Sequence, residues 1–136
     1  MSIKYRECKY KYQLVEDVMR QTNITGFDVS QPFFYLKPNG MLGVRVGYSW
    51  DGPSGPTLDT KDALKPSLYH DVLYQMIRKE LLPLSCKEVA DELFYVLCIE
   101  NGMLKARANI WYQVLQSFGR WFCDPESDKE DIKEAP

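Results

Sequence analysis

The chain has 136 residues, 45% of them hydrophobic and 26% charged, with a formal net charge of -2. That length suits one domain with a single core, and a near-neutral balance without a long basic run argues against a nucleic-acid partner. The apolar runs are too short to span a bilayer, and the opening "MSIKYRECKYKY" has no apolar stretch of the kind a secretory signal needs.

Residues 1–123 are expected to form one globular domain, and the polar, acidic stretch 124–136 a flexible tail. In "KYKYQLVEDV" aromatic or aliphatic residues alternate with polar ones, the period of a half-buried strand. "FFYL" is a second strand, ended by Lys37-Pro38-Asn39-Gly40, a turn signal because Asn and Gly tolerate positive φ. "MLGVRVGYSW" follows as a third, so that 33–50 form a hairpin. The segment "DGPSGPTLDTKD" concentrates Gly, Pro and Asp; it is irregular, with a backbone free to curl around a ligand.

The remainder reads as helix. Pro66 fits the first turn of a helix running to about Lys79, because its φ is already set. "SCKE" at 85–88 has the form of a capping box, Ser85 as N-cap and Glu88 at the third helical position. The helix it opens ends at Gly102, a natural residue just past a helix C-terminus. A third helix, about 104–122, places Ile110, Val114, Leu115, Phe118 and Phe122 at helical spacing. Cys8, Cys86, Cys98 and Cys123 are too scattered for a zinc cluster or a disulfide framework, and are expected to be reduced. The fold class is therefore α+β: a small N-terminal antiparallel sheet followed by three helices, two of them antiparallel.

His70, in "SLYHDVLY", is the only histidine. Phosphohydrolases of the His-Asp type and zincins need several histidines and are excluded. No P-loop, dinucleotide fingerprint or G-x-S-x-G elbow is present. One mechanism needs a single histidine: a general base that takes a proton from water while a carboxylate holds its other ring nitrogen. Asp91, in "ADELF" on the next helix, is placed to be that carboxylate, since a short link containing Pro83 makes the two helices antiparallel neighbours. Tyr74 lies one turn beyond His70 on the same face and can reach the same carboxylate. Asp71 projects about 100° around the helix from His70. It can face the loop before it, where Asp51 or the carbonyls near Gly52, Ser54 and Gly55 would complete an all-oxygen, calcium-type ligand set.

The succession "GYSWDGPSGP", "SLYHDVLY", "ADELF" and "SFGRWF" resembles an uncharacterised family of small tailed-phage and prophage proteins, over most of residues 9–122. That resemblance implies phage origin, residence in the host cytoplasm or association with the virion, and a virion or host protein as partner. A glycine loop, a helix with H-D-x-x-Y and an aspartate on the following antiparallel helix is also similar to the phospholipase A₂ superfamily. That similarity implies His70 as base, Asp91 as its dyad partner and Tyr74 as support. Calcium at Asp71 with Gly52 and Gly55, and a lipid or other ester as substrate, follow from the same similarity. The sequence departs from it in lacking cysteines beside the histidine, where Leu68 and Leu73 stand, and in its β-rich first fifty residues. Two functions are thus expected as alternatives: a hydrolase of acyl esters, or a non-enzymatic phage virion, tail or host-interaction protein in which the His/Asp pair is structural.

Overall fold

A computed structural model of the chain describes residues 3–6, 12–50 and 61–123. The chain separates into two compact units that part between Asp51 and Gly52. Among the described residues the first is all β and the second all helical, which makes the fold α+β.

In the first unit, β1 (Tyr5–Arg6), β2 (Tyr12–Leu14) and β7 (Ser49–Trp50) form one antiparallel sheet in the order β1-β2-β7. β3 (Val18–Gln21), β4 (Val29–Ser30), β5 (Phe34–Leu36) and β6 (Met41–Val44) form another in the order β3-β6-β5-β4. The β5–β6 hairpin follows its sequence signal. Gly40 adopts φ 92°, its N–H donates to the Lys37 carbonyl at 2.8 Å, and the Asn39 side chain accepts from the Met41 N–H at 3.0 Å. Alternation then buries Phe34, Leu36, Leu42 and Val44 on one face, with Phe34 opposite Val44 and Leu36 opposite Leu42.

Two of the expected strands are shorter than the apolar runs that suggested them. "MLGVRVGYSW" breaks after Val44: Gly47 takes φ 98°, and the Tyr48 N–H turns back to the Arg45 carbonyl at 3.2 Å. The run resumes as β7 in the other sheet. "KYKYQLVEDV" likewise divides between β2 and β3, with residues 9–11 outside the described set. Asp17, between those strands, accepts the Val46 N–H at 2.7 Å through its side chain, a bond that occupies a donor a continuous ladder would use.

The second unit consists of α1 (Lys61–Arg78), α2 (Lys87–Glu100) and α3 (Lys105–Phe122). α1 begins five residues ahead of Pro66, so the proline lies in the second turn, where it supplies no donor to the Asp62 carbonyl. The helix is buried around most of its circumference, so burial rather than a single apolar stripe holds it. It closes on Glu80 at φ 61°. The Glu80 N–H donates to the Ile77 carbonyl at 3.0 Å and the Leu81 N–H to the Met76 carbonyl at 2.9 Å, the double bond of a Schellman motif.

The capping box expected at Ser85 does not form. Leu84–Cys86 is a turn of 3₁₀ helix in which the Cys86 N–H donates to the Pro83 carbonyl at 3.0 Å, and α2 starts at Lys87 with no side-chain cap. Ser85 lies inside that turn rather than ahead of the helix, and the Lys87 N–H, two residues on, donates to the Leu84 carbonyl. The other end obeys its signal. Gly102 sits at φ 94°, with its N–H on Ile99 at 3.1 Å and that of Met103 on Cys98 at 2.9 Å.

In α3 the buried residues are Ala108, Trp111 and Gly119, with Leu115 half-buried, whereas Ile110 is 55% exposed. Ile110 thus falls outside the inward stripe while Leu115 keeps its expected place, because Trp111 fills the space against Phe94, at a ring-centroid distance of 5.8 Å. The side chains of Phe118 and Phe122 are outside the described set. Contacts fix the helix directions. As α1 advances from Ala63 through His70 to Tyr74, its partners on α2 retreat from Cys98 through Phe94 to Asp91. From Trp111 to Gln116, α3 retreats along α2 in the same way. Both pairs are antiparallel. Cys86, Cys98 and Cys123 are free and buried, and no helix among the described residues is long and apolar enough to cross a membrane.

Glu80 is the one non-glycine at positive φ among the described residues, and a Cβ in the left-handed region costs about 1–2 kcal/mol. Glu80→Gly is therefore expected to raise the free energy of unfolding by about 1 kcal/mol, net of the extra freedom of glycine in the unfolded chain. Urea denaturation of the two proteins checks this.

Candidate functional site

The inward stripe of α2 reads Ala90, Asp91, Phe94, Leu97, Cys98. Four of these are what a helix buries against its neighbours; Asp91 is a carboxylate with 0% of its surface exposed. An isolated charge cannot be left there without partners, and Asp91 has four among the described residues. Its Oδ1 accepts from His70 Nε2 at 2.7 Å and from the Tyr74 hydroxyl at 2.6 Å. Its Oδ2 accepts from Lys87 Nζ at 2.7 Å and from Gln116 Nε2 at 2.8 Å. A carboxylate offers about four lone-pair directions, so the group is saturated by donors from all three helices.

His70 is held on both faces. Its ring lies over Tyr74 at a centroid distance of 3.9 Å and meets Phe94 edge-on at 5.3 Å, and 6% of the residue is exposed. Burial holds the imidazole below its ordinary pKa of 6.5. The hydrogen bond and charge of Asp91 pull it upward without overcoming burial, and Lys87 pushes it further down. The ring is therefore neutral near pH 7. It donates through Nε2, which leaves the lone pair of the neutral imidazole on Nδ1. Burial raises the pKa of Asp91, but bonds from His70, Lys87 and Tyr74 outweigh it, and the carboxyl ionises below its ordinary value. Burial and the neighbouring Asp91 push the Tyr74 phenol up, so it remains a donor.

Three contributors were not expected from sequence. Lys87 opens α2, where a cation faces the positive end of the helix dipole. Asp91 one turn on and the Leu115 carbonyl, at 3.0 Å from Nζ, hold it there. Its spacing of four residues from Asp91 was visible. Gln116 and Gly119 left no such trace. Gly119 is buried in the last turns of α3, and a Cβ there would overlap the Tyr74 hydroxyl and crowd Lys87 Cε at 3.2 Å. A glycine inside a helix lowers stability by about 1 kcal/mol relative to alanine, and this one makes room for the site.

Of the residues proposed for an ion, Asp71 is half-buried on α1, and Asp51, Gly52 and Gly55 lie outside the described residues. Among the described residues no cluster of three His, Cys, Asp or Glu side chains could hold a metal. At the far end of the unit Arg107 meets Asp62 at 3.4 Å, a half-exposed pair that adds little. Compared with known proteins, the chain matches no family model, no curated protein and no solved structure.

The depressed pKa of His70 has a definite sign for stability. Below about pH 6.5 the unfolded chain binds a proton at this residue that the folded chain refuses. Stability is then complete above that pH and falls as pH drops through it, by at most about 1.4 kcal/mol per unit. Asp91 adds a further loss below 3.8, where the unfolded carboxyl is protonated and the folded one still ionised. Since His70 is the only histidine, denaturation measured from about pH 5 to pH 8 should show the first slope in the native protein and lose it in His70→Gln.

Proposed function

We propose that the helical unit is a hydrolytic site in which His70 is the general base, Asp91 orients it and Tyr74 supports the carboxylate. The observation that carries this reading is the neutral imidazole bound through Nε2 to a buried aspartate at 2.7 Å. That arrangement presents a basic nitrogen, Nδ1, at neutral pH. In the reaction Nδ1 takes a proton from water as its oxygen attacks the carbonyl carbon of an ester. The imidazolium so formed is stabilised through Nε2–H by the Asp91 charge. Collapse of the tetrahedral adduct breaks the bond to the alkoxide, and Nδ1 returns the proton to that leaving group. The products are a carboxylic acid and an alcohol, and the base is restored.

An acyl ester, and a phospholipid in particular, is the substrate class favoured by the similarity of H-D-x-x-Y plus a partner aspartate to phospholipase A₂. A calcium ion would polarise the ester oxygen in such a site, and Asp71 is the ligand for it among the described residues. Millimolar calcium is then expected to raise Tm of the native protein and to leave Asp71→Asn unchanged; equal behaviour of the two on heating removes the ion.

The 6% exposure of His70 favours a second reading, a structural staple between α1 and α2 in a phage virion, tail or host-interaction protein. Hydrolysis of dispersed short-chain phospholipid, followed by acid release, separates the two. The hydrolase predicts turnover that falls about 10²–10⁴-fold in His70→Gln. The staple predicts no turnover above buffer in the native protein, and only a lowered Tm in His70→Ala, because a buried partner loses its donor.

A further inference from the structure

We propose that Lys87 and Gln116 act as a clamp on Asp91 Oδ2 that fixes which ring nitrogen of His70 carries the proton. They are positioning residues: neither is bonded to the imidazole, and both act on it through the carboxylate. The inference deepens the proposed hydrolase and rests on His70 being its base.

A carboxylate turns readily about its terminal bond, whose torsional preference is broad and two-fold. Left to itself, Asp91 could turn its oxygens off the line to Nε2 or tilt toward Tyr74, and the ring could then carry its proton on either nitrogen. The clamp removes that freedom. Lys87 Nζ and Gln116 Nε2 both bind Oδ2, at 2.7 and 2.8 Å, so Oδ1 is left facing α1. Lys87 is itself tethered, since Nζ also donates to the Leu115 carbonyl at 3.0 Å. Following a rotated carboxylate would break that second bond. The side chain is 12% exposed, too buried for water to replace the lost partner cheaply.

Three features of α3 converge here: the Leu115 carbonyl, the Gln116 amide and the absent side chain of Gly119. Gly119 lies four residues after Leu115, on the same face of the helix, and its missing Cβ leaves space for both the Tyr74 hydroxyl and Lys87 Cε. The third helix is therefore a wall of the site rather than mere cover for the other two. Charge points the same way. The Lys87 ammonium balances the Asp91 carboxylate within the network, so the imidazole need not be charged to compensate it. With Oδ1 held toward the ring, the proton of a neutral imidazole belongs on Nε2 and the lone pair on Nδ1.

Ring-nitrogen NMR of isotope-labelled protein at neutral pH tests the clamp without any substrate, and the single histidine gives one set of signals. The native protein is expected to show one tautomer, protonated at Nε2, with a slowly exchanging proton. Lys87→Met and Gln116→Leu should each replace that pattern with averaged shifts, and speed exchange of the Nε2 proton by about tenfold or more. Ile110→Ser, on the 55% exposed outer side of α3, controls for a general loosening of the helix and should keep the native pattern. A folded Lys87→Met protein with the native signature overturns the clamp, as does an equal change in Ile110→Ser. Where Lys87→Met does not fold, Gln116→Leu decides, because an exposed residue is altered there; an unchanged ring in that variant overturns the clamp too. Lipid turnover is read separately, so loss of the hydrolase reading with the tautomer effect intact remains distinguishable from loss of the clamp.

Discussion

The helical unit is organised around a charge that has been taken out of water. Desolvating a carboxylate costs several kcal/mol, and Asp91 sits on the inward stripe of α2 with no exposed surface. Only a full set of donors makes that position tenable. They come from α1 through His70 and Tyr74, from α2 itself through Lys87, and from α3 through Gln116. Each helix must therefore arrive at one depth and one rotation. An apolar core tolerates some sliding of its helices, whereas a saturated carboxylate does not, because a shift of an ångström or so breaks a bond that nothing replaces.

Much of this was legible in the sequence, and the parts that were not share a cause. His70 and Tyr74 are four residues apart, and the short link through Pro83 forces α2 back along α1, so Asp91 had little choice but to face them. Gln116 and Gly119 depend instead on the rotation of α3. The expected stripe joined Ile110 to Leu115, and Ile110 lies about 100° to one side of the true face of Ala108, Trp111, Leu115 and Gly119. Apolar spacing alone could not choose between the two phases, since Ile110 and Trp111 are neighbours and both hydrophobic. What decided was the indole filling the space beside Phe94.

The β unit carries the complementary lesson. Its hairpin was readable because Asn39-Gly40 imposes a backbone conformation that few other pairs accept. The division of the next run into β6 and β7 was not, because the residues around Gly47 remain strand-like in composition. A positive φ at one glycine, with Asp17 binding the Val46 N–H, redirects the chain there. Ser85 makes the same point in reverse. It has the chemistry of a cap, but the backbone of a 3₁₀ turn satisfied the donor first. Local signals hold where they constrain dihedral angles, and fail where they only offer a hydrogen bond that another group can make.

The choice of an imidazole at residue 70 bears on what the network is for. Tyr74 already donates to Oδ1, and Lys87 with Gln116 fills Oδ2. A structural staple would be complete with one further neutral donor of any kind, and an amide would lose less on burial than a ring whose ionisation burial suppresses. Histidine brings one property that an amide lacks. When its Nε2–H is committed to a carboxylate, the opposite nitrogen becomes a base able to accept a full proton, and the charge so created is stabilised by the partner that oriented it. The 6% exposure of the ring keeps bulk water from screening the Asp91 charge and favours the structural reading. The network joins three helices through one carboxylate, and under the proposed hydrolase its histidine is the member suited to moving protons.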